Sequence, residues 1–118
     1  MSGNKSYDVV IIGGAVMGSA TAYFLASNPD FNGSVLVIER DPTYAKSATA
    51  LSSSSIRHQF SNEINIKISQ YGSEFIKHFS DHVSVDGDAP ELCFQENGYL
   101  YMVSEKDKAI LTSNYEQQ

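Results

Sequence analysis

Two short apolar runs near the N-terminus are separated by a stretch with helical periodicity. Residues 9–12 read Val-Val-Ile-Ile, and residues 35–38 read Val-Leu-Val-Ile. Continuous rather than alternating apolar runs are typical of parallel strands that are covered on both faces. Between them, Gly18, Ala22 and Leu25 recur at the spacing of one helix face. The order predicts a strand, a helix and a parallel strand, and hence an α/β fold.

The second half of the chain shows a longer helical period and then a region of alternation. Apolar residues spaced by three and four predict a helix over about residues 62–81. Residues 93–95 and 99–103 predict an antiparallel hairpin. Residues 104–107, Ser-Glu-Lys-Asp, have the form of a capping box and predict the start of another helix. Gly72 lies inside the first of these helices, where glycine costs about 1 kcal/mol relative to alanine, and it predicts close packing there.

A glycine-rich turn connects the first predicted strand to the first helix. In the G-x-G-x-x-G pattern of dinucleotide-binding units, the first glycine permits the tight turn and the last lets the helix pack closely. Here the middle glycine, which normally lets the backbone approach a pyrophosphate, is replaced by alanine. The helix that follows offers free N–H groups and a partial positive charge to a pyrophosphate. The residues predicted to hold it are Gly13, Gly14, Ala15, Val16, Met17 and Gly18.

An acidic residue ends the second predicted strand. Glu39 follows Gly18 by about the ~20 residues at which an acid accepts hydrogen bonds from a ribose diol. Its charge also disfavours a 2′-phosphate by like-charge repulsion. Arg40 comes directly after it and is included in the predicted site. Strand, turn, helix, strand and acid in this order predict that the chain holds the ADP half of a dinucleotide, the alternative being an ordinary βαβ unit without a nucleotide.

Composition excludes several classes of protein. The 118 residues carry a net charge of −6 and no cluster of Lys and Arg, which argues against a nucleic-acid-binding surface. The single cysteine, Cys93, rules out an intramolecular disulfide framework and fits a reducing compartment. No stretch approaches the ~20 apolar residues of a transmembrane helix. The short polar N-terminus has neither a secretory nor a transit signal, so a cytoplasmic location is predicted. The three histidines and the cysteine are not spaced as metal ligands.

Residues 47–55 form a run of small and hydroxyl-bearing side chains. Such composition is common in flexible linkers. This run contains no glycine, proline or charge, however, and it leads from the second strand to Arg57. Small hydroxyl side chains and free backbone N–H groups suit close packing against a phosphate and a flat ring.

The chain resembles the D-amino-acid oxidase and glycine/sarcosine oxidase superfamily of FAD-dependent oxidoreductases from Asp8 to about Val103. The most specific parts are Val-Ile-Glu-Arg at 37–40, the Ser/Thr-rich turn that closes in Ile-Arg-His-Gln-Phe at 56–60, and Gly-Tyr-Leu at 98–100. A nicotinamide-binding Rossmann domain is not expected to share the serine run or the early antiparallel excursion.

The resemblance implies a cofactor, a substrate class and roles for several residues. It places the FAD pyrophosphate on the glycine turn, the ribose on Glu39, and a substrate carboxylate near Arg57. A guanidinium suits this last task because its planar fork meets a carboxylate bidentately, although Arg57 could equally bind the chain's own carbonyls or an acid. The implied reaction is oxidation of the C–N bond of an amine or amino acid by hydride transfer to the flavin. The residues implied to line the flavin side are Ala48, Thr49, Leu51, Ser52 and Ser53.

The resemblance also implies an incomplete fold. Residues 1–84 correspond to the N-terminal part of a Rossmann-like FAD-binding domain, and residues 85–118 to the start of an α+β substrate domain. Two parallel strands leave apolar faces and edges uncovered. We therefore expect the rest of a longer polypeptide, or a partner chain, to complete the fold, and the 118 residues alone to be inactive. The alternatives are a fragment of an NAD-dependent oxidoreductase and a non-catalytic dinucleotide-binding module completed by a partner.

Overall fold

The computed structural model describes residues 5–118, which divide into two compact units. The first unit ends at Ser55 and the second begins at Ile56. The boundary predicted between residues 84 and 85 concerns the domains of a complete protein and stays a prediction. In chain order the elements are β1 (Val9–Ile12), α1 (Val16–Ala26), β2 (Val35–Ile38), α2 (Glu63–Lys77), α3 (Phe79–Val83), a 3-10 turn (Glu105–Asp107) and α4 (Lys108–Gln117).

The first unit contains the predicted strand–helix–strand order. Strands β1 and β2 pair in parallel, in a register that runs from Val9 opposite Val35 to Ile12 opposite Ile38. Helix α1 connects them, as the separation of the two apolar runs predicts. Past the last pair, the N–H of Gly13 donates to the carbonyl of Ile38 at 2.8 Å. This bond extends the ladder by one residue and so holds the glycine turn at the carboxyl end of the sheet.

The amino end of the same sheet is held by one carboxylate. Asp8 accepts hydrogen bonds from the backbone N–H and from the hydroxyl of Ser34, both at 2.7 Å. These bonds favour the ionised form and lower the pKa of Asp8 below its usual 3.8. Hydrogen bonds made by residues beyond the two strands, Gly13 at one end and Asp8 with Ser34 at the other, therefore hold both ends of the sheet.

The two-stranded sheet leaves much of its apolar surface open. Val10 is 50% exposed and Ile12 is 79% exposed, and Val37 and Ile38 are also exposed. Parallel strands are ordinarily covered on both faces. The prediction that two strands leave apolar faces uncovered is confirmed for the residues that the structure describes.

The second unit is built around α2, and its core is small. Asn62 caps the helix, its side-chain oxygen accepting from the N–H of Ile64 at 3.0 Å. Among the described residues of this unit, Ile66 and Ser73 are the buried ones, and both lie on this helix. The prediction of one helix over 62–81 is wrong in one respect. At His78 the backbone leaves helical values, with φ −105° and ψ 25°, so that α3 begins as a separate turn.

Gly72 does not mark a close contact. A Cβ built on this residue meets no atom within 4 Å, so the packing expected from a glycine inside a helix is absent. The glycine therefore lowers the helix propensity of α2 without a compensating contact.

The predicted hairpin at 93–95 and 99–103 is not formed. Between residues 89 and 104 the chain adopts no strand, and residues 91–103 are exposed. Cys93 has a φ of +49°, a left-handed conformation that interrupts an extended strand at its first residue. A hairpin without further strands is also marginal in water. Gly98 has a positive φ of +70°, a left-handed value that glycine adopts readily, but neither a turn nor a ladder forms around it.

The capping-box segment starts a helix as predicted, although its first turn is of the 3-10 type. The Ser104 hydroxyl donates to a carboxylate oxygen of Asp107 at 2.7 Å. At the other end of α4, the Gln118 amide donates to the carbonyl of Phe60 at 3.3 Å. Among the described residues, no helix has the length and apolar character needed to cross a membrane.

Candidate dinucleotide site

Gly13, in the turn after β1, and Gly18, in α1, must be glycine for different physical reasons. Gly13 has a φ of +99°, which L side chains rarely adopt, while a Cβ there would point into open space. Gly18 lies on the first turns of α1, where a Cβ would overlap the carbonyl of Gly13 and come within 3.2 Å of Ile11. The backbone angle therefore requires glycine at residue 13, and the close approach of the helix to the turn requires it at residue 18.

Gly14 is buried beneath the side chains of Glu39 and Tyr44, which follow β2 in the chain. Its N–H donates to a carboxylate oxygen of Glu39 at 2.7 Å. A Cβ on Gly14 would lie 3.0 Å from the phenol oxygen of Tyr44 and 3.3 Å from the Cβ of Glu39. The carboxylate and the phenol therefore close over the glycine turn, and a side chain at Gly14 would displace them.

The Glu39 carboxylate is held in its ionised form. Its second oxygen accepts from the N–H of Asp41 at 2.9 Å. The bonds from Asp41 and then from Gly14 lower the pKa of Glu39 below its usual 4.5, because both favour the charged form. A carboxylate has about four lone-pair directions, so two acceptor positions stay available after these bonds. The group can accept hydrogen bonds from a diol at the end of β2.

The start of α1 is free of side-chain caps. Ala15 is the N-cap residue and makes no side-chain cap bond, and the first turn carries no acidic residue. Its φ of −68° and ψ of −171° are ordinary extended values, so an alanine fits where the motif usually has glycine. The N–H groups of the first turn and the positive end of the helix dipole are therefore available to an anion such as a pyrophosphate.

Two cavities of about 400 Å³ each lie at this edge of the first unit. Both are lined by Ala15, Tyr44 and Ser47. Eight of the predicted site residues line one or both of these cavities: Gly13, Gly14, Ala15, Val16, Glu39, Arg40, Ala48 and Thr49. The fold therefore brings the glycine turn, the acid and the start of the serine-rich segment to one place.

Five of the residues predicted to bind the cofactor do not line either cavity. Gly18 acts through packing, as described above, and Met17 is 78% exposed on α1. In the serine-rich segment, the Ser52 hydroxyl donates to the carbonyl of Thr49 at 2.8 Å, a local turn that leaves the following residues exposed. The predicted cofactor-binding residues outside the cavities are Met17, Gly18, Leu51, Ser52 and Ser53.

Tyr44 is the site residue that sequence reasoning missed. It lies against Gly14, lines both cavities and has a φ of +57°, which is uncommon for a residue with a side chain. Its N–H donates to the carbonyl of Asp41 at 3.0 Å, closing a turn at Asp-Pro-Thr-Tyr. The available signal was an aromatic residue in a turn directly after the acid. The sequence does not show that this turn folds back toward the glycines after β1.

Arg57, the residue predicted to hold a substrate carboxylate, belongs to the second unit. Its guanidinium lies 4.9 Å from the ring centre of Phe60, and one nitrogen is 3.4 Å from the phenol oxygen of Tyr101. The neighbouring His58 makes a 2.7 Å hydrogen bond to the buried Ser73 hydroxyl on α2. These contacts hold residues 57–60 within the unit. Among the described residues, no cluster of His, Cys, Asp and Glu could hold a metal ion.

The Glu39 contacts predict how stability changes with pH. Because folding lowers the pKa of Glu39, its contribution is fully present above the unfolded value of about 4.5 and is lost as the pH falls through the folded value. Asp8 contributes in the same direction. We expect the urea midpoint of the first unit to fall between about pH 6 and about pH 3, and to fall less in Glu39→Gln. The variant Asp8→Asn measures the contribution of the second carboxylate by itself. If the urea midpoint of Glu39→Gln falls as far as that of the wild type, the Glu39 contact is contradicted.

A parallel βαβ unit with a glycine turn, an uncapped helix start and an ionised acid at the end of β2 is the arrangement of dinucleotide-binding domains. Residues 8–118 match the model of the DAO family, described as FAD dependent oxidoreductase. The match covers most of the chain, so this chain belongs to that family of FAD-dependent oxidoreductases. The cofactor of the family is FAD.

Curated relatives carry the same description. The chain is 40% identical over 114 residues to FAD-dependent oxidoreductase domain-containing protein 1 of Xenopus laevis, and 41% identical over 114 residues to that of Bos taurus. These alignments cover 94% of the chain but only 23% and 24% of the two relatives. A Drosophila melanogaster homolog is 36% identical over 99 residues, which is 84% of the chain and 19% of the relative. The chain thus spans about a quarter of the length of the first two relatives. No solved structure gave a significant match.

Proposed function

We propose that this chain supplies the ADP-binding part of an FAD site in an oxidoreductase that oxidises the C–N bond of an amine or amino acid. The observation that carries the proposal is the 2.7 Å bond between the Gly14 N–H and the Glu39 carboxylate, at the carboxyl end of both strands. It places an ionised acceptor beside the uncapped start of α1. A ribose and a pyrophosphate need these two features side by side.

The residues of the first unit fit this part of the cofactor. The N–H groups at the start of α1 would hold the pyrophosphate, and Glu39 would accept from the ribose hydroxyls. Gly14 and Gly18 leave the backbone open where a Cβ would fill the space. A bound flavin would supply the acceptor for the hydride equivalent, and the protein would orient the substrate and exclude water. Holding the isoalloxazine needs further elements, supplied by a longer polypeptide or by a partner chain. We refer to that assembly as the complete protein. We propose a cytoplasmic location for it.

A titration followed by the visible absorbance of the flavin tests this proposal. The complete protein is mixed with FAD, and then with ADP or NAD as a competitor. We expect FAD to bind with a perturbed spectrum, ADP to displace it at higher concentration, and NAD to compete no better than ADP. If NAD rather than FAD protects the protein from unfolding, the nicotinamide-dependent alternative is favoured. If neither cofactor binds, the first unit is an ordinary βαβ unit without a nucleotide.

Arg57 is proposed to hold the carboxylate of the substrate. Among the residues that the structure describes, its guanidinium contacts a ring face and a phenol, neither of which neutralises its charge. We expect Arg57→Ala to raise the KM for a carboxylate-bearing amine about tenfold or more, because a charge-assisted pair is lost. The KM for an uncharged amine of similar size serves as the control and should change little. An equal rise for both amines would indicate a structural role.

A further inference from the structure

The chain contains two Asn-Gly pairs, and the fold places them in different surroundings. Asn32-Gly33 lies in the loop before β2, and Asn97-Gly98 lies in the exposed segment between α3 and the 3-10 turn. The backbone nitrogen that follows an asparagine can attack the carbon of its side-chain amide. Glycine in the following position favours this attack, because it has no Cβ and its backbone angles are little restricted. The sequence therefore has two candidate positions for the reaction, and the structure distinguishes them.

Asn97 has the conformational freedom that the attack requires. Residues 91–103 are exposed and form no helix or strand. Among the described residues, neither the Asn97 side chain nor the N–H of Gly98 has a hydrogen-bond partner. A Cβ built on Gly98 meets no atom within 4 Å, so packing does not restrict rotation there. The Gly98 nitrogen can therefore reach the amide carbon of Asn97 without the loss of a native contact.

The loop at Asn32 is held in place by the sheet. The N–H and the hydroxyl of Ser34, the residue after Gly33, each donate to the Asp8 carboxylate at 2.7 Å. The Ser34 carbonyl in turn accepts from the N–H of Asp8 at 3.1 Å. A Cβ on Gly33 would lie 2.7 Å from the ring of Phe31, so the backbone here is closely packed. Rotation at Asn32 breaks these contacts, and the reaction there requires a local opening of the first unit.

We propose that Asn97 is a site of spontaneous deamidation, a modification that needs neither an enzyme nor a cofactor. The Gly98 nitrogen bonds to the side-chain carbon of Asn97, the bond from that carbon to Nδ2 breaks, and Nδ2 leaves as ammonia with the proton of the Gly98 nitrogen. Water then opens the resulting succinimide ring. Attack at the side-chain carbonyl gives aspartate, and attack at the main-chain carbonyl gives isoaspartate. In sum, water is taken up and ammonia is released, and nothing is oxidised or reduced.

The modification changes the charge beside an ion pair to α2. Glu96, the residue before Asn97, accepts from Nζ of Lys77 at 2.7 Å. Deamidation places a second carboxylate next to Glu96, and isoaspartate also lengthens the backbone between Glu96 and Gly98 by one carbon. The modified protein is therefore more acidic than its parent and can be separated from it by anion exchange.

Incubation in water labelled with heavy oxygen tests the proposal, because deamidation during the incubation incorporates solvent oxygen. The protein is kept folded at neutral pH or unfolded in urea, and is then digested at acidic pH, where the attack is suppressed. Mass spectrometry compares the peptides that contain Asn97 and Asn32. We expect both asparagines to react in urea, and Asn97 to react about tenfold or more faster than Asn32 in the folded protein, since Asn32 must first open locally. An unreacted Asn97, or equal rates at the two positions, in the folded protein would overturn the proposal.

Variants at Gly98 assign the reaction to its backbone nitrogen. Gly98→Ala adds a Cβ and should slow the reaction at Asn97 several-fold, and Gly98→Pro removes the N–H and should abolish it. Gly87→Ala is the matched control. Gly87 also has a positive φ and open space around a built Cβ, but it does not follow an asparagine, so the rate at Asn97 should stay unchanged. Release of ammonia from Asn97 in Gly98→Pro at the rate of the wild type would refute the attack by the backbone.

Discussion

Replacing Gly18 with alanine is expected to destabilise the first unit by about 3 kcal/mol, at the upper end of the usual cost of overpacking. The added Cβ would overlap the carbonyl of Gly13 and press on a methyl of Ile11. A flexible side chain can turn away from such a contact, but the carbonyl belongs to the turn itself. Relief therefore requires α1 to move away from β1, which opens the site as well as the packing. Urea unfolding followed by circular dichroism measures the loss.

Gly72→Ala is the matched control for this experiment. The residue is also a helical glycine, but a Cβ there meets no atom within 4 Å. The same substitution should then stabilise the second unit by up to about 1 kcal/mol, because alanine is the better helix former. Opposite signs at the two positions are the expected result. A Gly18→Ala variant as stable as the wild type would show that α1 does not approach the turn closely.

These two glycines illustrate what the sequence could and could not predict. At Gly18 the strand, turn, helix and acid all indicated the same unit, and the close packing predicted from the motif is present. At Gly72 only the residue type and its helical surroundings were available, and the inferred contact is absent. A local pattern is reliable where several independent signals agree on one arrangement. A single residue type leaves the tertiary surroundings undetermined.

The errors in the second unit have the same origin. Alternation at residues 93–103 predicted a hairpin, but pairing depends on neighbouring strands that the pattern does not contain, and Cys93 adopts a left-handed conformation. The periodicity of α2 continues past His78, so no pattern marked the break between α2 and α3. In the first unit, eight of the predicted site residues line two cavities, but the sequence did not predict that Tyr44 lines them too. Its place over Gly14 depends on how the turn after Glu39 folds back, which spacing does not encode.

Replacing Glu39 with alanine is expected to weaken FAD binding by the complete protein about tenfold to a hundredfold. Hydrogen bonds to a charged acceptor contribute about 1.5–3 kcal/mol each, and the variant loses those made to the ribose. It also loses the bonds that the carboxylate accepts from Gly14 and Asp41, so the turn itself could loosen. Titration with FAD measures the total effect but does not separate these two causes.

A nucleotide without ribose hydroxyls separates them. ADP and its 2′,3′-dideoxy analogue share the pyrophosphate, and both are measured as competitors of FAD. If Glu39 binds the ribose, the wild type prefers ADP over the analogue, and Glu39→Ala removes that preference, because the coupling between carboxylate and hydroxyls is gone. If Glu39 acts only by holding Gly14, the variant weakens both competitors equally and the preference persists. The first result makes Glu39 a ligand of the cofactor, and the second makes it a support for the glycine turn.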